Sequence, residues 1–300
     1  MFLTSREQEI FLDKYNIPHK RFKESMLTWE MLDELAEQYE REKDGHIPVV
    51  RKYAEQLQQC PYVHSLRYRI KDTEHLIEKV IRKNCDYVRT GDMITVLNYK
   101  DKITDLMGLR ILLLFKEDWE GVHDYIMGQY GDCMNEEPFV YIRKGDRREL
   151  YEGKIKIVDS RTYRSVHYVI RDNSGVCAEI QVRTLNEEAW SEVDHKLCYP
   201  YNMKNEMLNS YMDIMGQMTG MNDNLGSFMH RYIMCFEDAR QKGVLETNAV
   251  YDYILKEIRD CGDEERRKRI EDKIKEANDF RELGSLADLT SGFMNKINTE

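Results

Sequence analysis

Proline is scarce in this 300-residue chain, with five residues, and tryptophan scarcer still, with three. Sixteen glycines complete the set of backbone breakers, too few for a low-complexity or disordered chain when aromatics reach 10%. The seven cysteines, at 60, 85, 133, 177, 198, 235 and 261, form no CxxC pair and are odd in number. That argues against a disulfide framework or a zinc site and for a reducing, cytoplasmic setting. No apolar run nears the roughly 20 residues that span a bilayer, and the longest, Leu109 to Phe115, is strand-sized and contains Arg110. The N-terminal stretch MFLTSREQEIFLDKY is charged every few residues, which predicts no signal peptide and no membrane association. Repeats are absent. Positive charge is also in deficit, 45 Lys and Arg against 55 Asp and Glu, a net charge of -10. Such a balance excludes a surface that binds nucleic acid throughout, and leaves room for a local basic patch.

What is present is patterned. Residues 5 to 60 show helical spacing, with Leu27, Met31, Leu32 and Leu35 recurring among charges. Val63 to Ile70 alternates as a strand. Thr73 to Lys83 returns to a helical period, with Thr73 as a candidate N-cap. Met107 to Phe115 predicts a buried strand and Asp118 to Tyr130 a helix. Strands are predicted at 154–158, 163–171 and 176–183, the last two joined by the turn Asp172-Asn173-Ser174-Gly175. Leu185 to Leu197 is helical. The interleaving predicts an α/β (α+β) domain with a mixed sheet of about five strands flanked by helices. Three parts follow: a helical flank at 1–60, the α/β domain at 61–200 and a helical extension at 201–300. The extension holds eight of the sixteen methionines between 203 and 240, an amphipathic stretch at 246–260 and a charge run at 263–276. The ordinary reading of the methionines is core packing, and a partner groove is the alternative.

Four clusters carry chemistry. Arg69 and Lys71 share a strand face, and Lys79 and Lys83 share a helix face, a convergence that suits a polyphosphate. Asp105 enters a buried strand with Gly108 and Arg110 close behind, and a carboxylate there can hold Mg²⁺ when phosphate oxygens complete the shell. Tyr163, Ser165 and His167 alternate onto one face, offering a ring for a base and an imidazole for a phosphate. Glu179, Gln181 and Arg183 project together while Ile180 and Val182 face inward. Glu179 can complete a metal site with Asp105 or take a proton from an attacking hydroxyl. Each cluster alone is also what an ordinary solvated face would show. Trp190 and His195 follow, and His195 reads as structural.

Taken in order, RIKDTEHLIEK, ITDLMGLRI, YRSVHY and EIQVRTLNEEAWSEVDHKLCY resemble the synthetase domain of RelA/SpoT-type alarmone enzymes over about residues 45 to 205. The resemblance implies a nucleotidyltransferase-like synthetase fold. It implies transfer of the β,γ-pyrophosphate of ATP to the 3′-hydroxyl of GDP or GTP, giving (p)ppGpp and AMP. Arg69 and Arg110 would then sandwich the adenine, and Lys71 and Lys79 would hold the ATP phosphates, with His75 one helical turn before Lys79. Asp105 and Glu179 would hold Mg²⁺, with Glu179 also activating the acceptor. Tyr163 would stack on the acceptor base, and His167, Gln181, Arg183 and Arg161 would support the acceptor side. Two positions depart from the family pattern: His75 stands where Ser is common, and Asp159-Ser160-Arg161-Thr162-Tyr163 replaces a Lys-x-Asn-Gly-Tyr loop. The altered loop, and nine Lys/Arg against four Asp/Glu between 140 and 171, keep an adenosine nucleotide or a tRNA 3′ end open as acceptor. A nucleotide-binding protein without turnover is the reading of another class. No His-Asp hydrolase half is expected upstream. A homo-oligomer, tetramer or dimer, or an antitoxin partner is the further expectation.

Overall fold

The computed structural model describes residues 4–87, 91, 93–143, 146, 148–160, 163–171, 175–198 and 205–241. Four helices open the chain: α1 (Ser5–Lys14), α2 (His19–Glu24), α3 (Trp29–Glu42) and α4 (His46–Leu57). Local chemistry sets their starts. The Thr4 side chain accepts from the Glu7 amide while Glu7 reaches back to the Thr4 amide, a capping box. Thr28 accepts from Met31 N–H at the head of α3, whose inner face buries Leu32, Leu35, Ala36 and Tyr39.

Strand β1 (Ser65–Ile70) leads into α5 (Thr73–Tyr87), then α6 (Tyr99–Lys102), β2 (Met107–Leu113) and α7 (Trp119–Tyr130). Thr73 is not the cap of α5. Asp72 Oδ1 accepts from the amides of Glu74 and His75 at 2.9 and 3.3 Å, while the Thr73 hydroxyl donates to Glu40. Four strands complete the sheet: β3 (Phe139–Arg143), β4 (Lys156–Ser160), β5 (Ser165–Arg171) and β6 (Cys177–Thr184). Helices α8 (Leu185–Leu197) and α9 (Glu206–Gln241) follow.

The sheet has six strands in the order β1-β2-β6-β5-β3-β4, with β2/β6 and β3/β4 parallel and the other pairs antiparallel. It is the mixed α/β arrangement that the sequence predicts, plus one strand. β3 is the addition: five residues with two inward apolar side chains, Val140 and Ile142, give too little alternation to announce a strand.

Register makes the sheet two-faced. Leu109, Ile180, Tyr168 and their neighbours Ile111, Val182, Val166, Val140 and Ile142 form a continuous buried layer. Trp119 of α7 packs into that layer and its indole N–H donates to the Tyr168 hydroxyl at 3.0 Å. On the opposite face, Arg110, Gln181, His167 and Phe139 lie in one cross-strand row, and Arg69, Gly108 and Glu179 in the next. A period of two thus sends Leu109, Ile111, Ile180 and Val182 to the core and Arg110, Glu179, Gln181 and Arg183 to the other side, where Leu112 and Val169 are the apolar exceptions on the central strands.

The chain divides into two units, residues 1–227 and 228–300. Within the first, α9 docks by a polar face. The Arg164 guanidinium pairs with Asp223, which also accepts from Thr184 Oγ1 and Asn186 Nδ2, each at 2.8 Å. Arg143 pairs with Glu187 and donates to the Gly216 carbonyl, and a Cβ at Gly220 would stand 3.0 Å from its Nη2. Of the methionines expected in the core, Met212 is buried and Met215 packs beside it, but Met207, Met218 and Met221 are exposed. The second unit is described to residue 241 as helix, with Met229, Ile233 and Met234 exposed. The segments 246–260 and 263–276 lie outside the described residues, as does most of the turn at 172–175.

Candidate active site

The polar face of the sheet opens into a cavity of about 230 Å³ between β1, β2, β6 and α8. Arg67, Arg69, Arg110, Asp105, Glu179 and Gln181 line it, over a floor where Gly108 leaves room. The Arg69 side chain lies across Gly108: a Cβ there would touch its Cγ at 3.4 Å.

Asp105 sits just before β2, nearly buried, between two lysines. Lys71 Nζ, at the end of β1, is 2.7 Å from Oδ2, and Lys79 Nζ, on α5, is 2.8 Å from Oδ1. Burial alone would raise the Asp105 pKa, but the two ammonium groups and their hydrogen bonds outweigh it and hold the carboxyl well below its usual range. Burial pulls Lys71 the other way, down from the usual lysine value, with Asp105 partly compensating. Tyr39 fixes this corner by donating to the Lys71 carbonyl at 2.7 Å.

Glu179 faces the same cavity. Its Oε1 lies 3.0 Å from His167 Nδ1, and its Oε2 accepts from Gln181 Nε2 at 2.9 Å. Burial pushes its pKa up, but the His167 hydrogen bond and charge overcome that, and the carboxyl is held below its ordinary value. The His167 ring is buried and stacked on Phe139, with centroids 5.0 Å apart. Its Nε2 is buried with no hydrogen-bond partner among the described residues.

Arg110 is held from α8: its Nη1 donates to Glu188 at 2.8 Å and to Glu192 at 2.5 Å. Glu188 also lies 3.6 Å from Arg67 and 3.5 Å from Arg183. These carboxylates, with Arg67, are the site residues that sequence reasoning missed. The available signals were Arg67 two residues before Arg69 on one strand face, and Glu188 and Glu192 four apart on one helix face.

The remaining candidates stand apart from this wall. Arg183 is spent on neighbours, donating to Ser165 at 3.0 Å, Ser191 at 2.6 Å and Gln181 at 2.9 Å. Tyr163 lies parallel to Trp190 at 6.0 Å and tilted against Tyr141 at 5.2 Å, and burial raises its pKa. His75 is largely exposed, 3.3 Å from Asp72 and edge-on to Tyr15. Lys83 donates to the Lys102 carbonyl at 3.2 Å. His195 is depressed by burial and by the nearby Arg110 and Arg183. Arg161 lies outside the described residues.

Asp105 and Glu179 fit a hard divalent cation by donor type. Among the described residues no group of three or more His, Cys, Asp or Glu could hold an ion unaided. Mg²⁺ needs only one or two carboxylates where phosphate oxygens and water supply the rest of its shell.

Guanidinium planes on two adjoining strands, ammonium groups behind one carboxylate and a second carboxylate opposite define a site for a polyanion bearing a flat ring. Residues 68–204, which hold all of these groups except Arg67, match the family model of the region found in RelA / SpoT proteins. GTP pyrophosphokinase YwaC of Bacillus subtilis (strain 168) is 28% identical over 149 residues, 47% of this chain. The chain spans 60% of the length of that curated relative. The crystal structure of small alarmone synthetase 1 from Bacillus subtilis superimposes with a TM-score of 0.47 at 20% identity, covering 66% of this chain and 98% of that one. The same synthetase bound to its product pppGpp gives 0.46 at 22% identity, covering 64% and 96%.

Proposed function

We propose that this chain is a Mg²⁺-dependent pyrophosphokinase that moves the β,γ-diphosphate of ATP to the 3′-hydroxyl of GDP or GTP. The observation that carries the reading is the single cavity shared by Asp105, Glu179, Arg69 and Arg110. The acceptor oxygen attacks the β-phosphorus, the bond from that phosphorus to the α-bridging oxygen breaks, AMP leaves, and the hydroxyl proton passes to Glu179. Arg69, open over Gly108, and Arg110, fixed by Glu188 and Glu192, supply cationic planes on adjoining strands for adenine. Lys71 and Lys79 neutralise triphosphate charge. A bound Mg²⁺ would add charge neutralisation at the transferred group. Asp105 would meet that ion by giving up part of its contact with Lys79.

Glu179 suits the proton-accepting role by geometry more than by basicity. Its pKa is held low, so it helps where proton transfer accompanies attack on phosphorus. His167 fixes its rotamer through Nδ1 and keeps a buried Nε2 without a hydrogen-bond partner among the described residues. Tyr163 and Gln181 complete that side, with Arg183 as the brace that holds Gln181.

The charge distribution favours a mononucleotide acceptor over tRNA. Within the basic stretch at 140–171, Arg143 and Arg164 are buried in ion pairs. Arg148, Lys154 and Arg171 are paired with Asp159, Glu120 and Asp101. Five of the six described cations of that stretch are thus committed to carboxylates rather than left to follow a phosphate backbone. Among the described residues Cys60, Cys85, Cys133, Cys177 and Cys198 form no disulfide, which suits a cytoplasmic setting. Among the described residues no helix is long and apolar enough to cross a membrane.

The test offers γ-labelled ATP with GDP, GTP, ATP or bulk tRNA, each separately. A labelled 3′-diphosphorylated guanosine nucleotide is expected, and its absence sinks the reading. Glu179→Gln should cost on the order of 10²- to 10⁴-fold in turnover, with far-ultraviolet circular dichroism showing the fold retained.

A further inference from the structure

The cavity has a direction. Where β1 leaves the sheet and β2 enters it, Asp105 stands with Lys71 and Lys79. Arg69 comes next, across Gly108. Two residues further back along β1, about 7 Å from Arg69, Arg67 lies directly opposite Arg110 in the register. Glu192 of α8 meets the same row through Arg110. The end of the cavity away from Asp105 is therefore lined by one cation, Arg67, and one carboxylate, Glu192, with side chains 67% and 53% exposed.

Packing does not call for Glu192. Arg110 is already held at 2.8 Å by Glu188, whose side chain is 7% exposed. A second carboxylate, largely in water, adds little to that hold. Its Oε1 meets Arg110, while its Oε2 is in no hydrogen bond or ion pair among the described residues. Burial raises the Glu192 pKa, but the hydrogen bond to Arg110 and the charges of Arg110 and Arg67 outweigh it and hold the group low. An ionised carboxylate only accepts hydrogen bonds, and the Arg67 guanidinium only donates them.

We infer that Glu192 and Arg67 read the edge of the donor's purine and select adenine over a 6-oxopurine. This rests on the reading of Arg69 and Arg110 as the planes that hold the donor base. A purine between those planes, with its phosphates toward Asp105, turns the edge opposite N9 toward the far end. On adenine that edge carries the 6-amino group, a donor, beside N1, an acceptor: the complement of one carboxylate and one guanidinium. On hypoxanthine or guanine it carries O6, an acceptor, beside N1–H, a donor. Both contacts are then opposed, and the carboxylate facing O6 is the repulsive element that discrimination needs.

The test has two arms, both with Mg²⁺. In the first, ATP, inosine triphosphate and purine riboside triphosphate, which has hydrogen at C6, displace labelled ATP at equilibrium without acceptor. In the second, each is offered as donor to GDP. Wild type should favour ATP over inosine triphosphate by about 10- to 100-fold in both arms. Glu192→Gln, whose carboxamide can donate to O6, should narrow that ratio roughly tenfold, and Arg67→Gln, which can accept from N1–H, should narrow it too. Glu192→Ala should bind ATP and purine riboside triphosphate alike. A Glu192 that only braces Arg110 would weaken all three nucleotides together and leave their ratios as in wild type, which overturns the inference. A wild type that binds ATP and inosine triphosphate equally, or binds no adenine nucleotide, also overturns it. Product formed from ATP with unmoved ratios sinks the inference and leaves the pyrophosphokinase reading standing. The expected ratios in the displacement arm without product in the other support the inference and remove that reading.

Discussion

Asp105 concentrates the electrostatics of this molecule in one side chain. It is nearly buried, and so are the two ammonium groups that hold it: the side chains of Lys71 and Lys79 are 8% and 18% exposed. Removing one member of such a set leaves charge without compensation. Asp105→Asn should therefore destabilise the chain by on the order of 3–5 kcal/mol in urea denaturation at pH 7. The pH dependence follows from the direction of the shift. The folded-state pKa of Asp105 is depressed, so its contribution is present above the unfolded value, near 3.9, and is lost as pH falls through the folded value. Glu179 is depressed too and adds in the same sense. Stability should drop as pH is lowered below about 4, and the drop should be shallower in Asp105→Asn. An equally steep acid limb in the variant would show that other carboxylates set it.

At the scale of elements, α9 is fastened to the sheet through polar groups. Asp223 gathers Arg164, Thr184 and Asn186, and Arg164 directly follows Tyr163 in the chain. Asp223→Asn keeps the shape and removes the charge that faces a 5% exposed guanidinium. Glu187 and Asp146 still face Arg164 at 3.8 and 3.7 Å, so the loss should lie toward the low end of the range for a broken buried pair, about 3 kcal/mol. Calorimetry reads it as a lowered midpoint. If Arg164 positions Tyr163, the acceptor KM should rise more than the ATP KM, and equal changes would leave Asp223 as structural only. Elements of this kind show how far sequence reading reaches. Helix α8 could be read to its ends because Thr184 caps it and Glu187, Trp190 and Ser191 recur at helical spacing. The site strands were legible because period two sorts Arg69, Arg110 and Glu179 from Ile70, Leu109 and Ile180. β3 was not, having two apolar inward residues. Pairing lay beyond reach as well: nothing local says that Glu188 turns to Arg110 or that Arg183 braces Gln181, because those contacts arise from register and crossover. The methionine stripe had the right helix and the wrong face, since composition cannot tell a core seam from an exposed one.

For the whole molecule, net charge and local charge answer different questions. The total of -10 disfavours a polyanion, yet the cavity gathers Arg67, Arg69 and Arg110 with Lys71 and Lys79 just behind. Of the six described cations of the 140–171 stretch, five are committed to carboxylates. A small acceptor needs only the cavity's own cations, whereas a tRNA would extend beyond them over a chain of net charge -10. The two cases separate in their salt dependence. An acceptor held by two or three cations should lose roughly tenfold in affinity between 50 and 200 mM salt, while a backbone held by six to ten phosphate contacts loses about 10³- to 10⁵-fold. Measured as kcat/KM for GDP and GTP across that range, the shallow dependence is expected, and bulk tRNA should stay unlabelled at either salt concentration. Label that reaches tRNA at 50 mM and disappears at 200 mM would reverse the assignment, because only an extended phosphate backbone could overcome the chain's acidic surface and lose its hold so steeply.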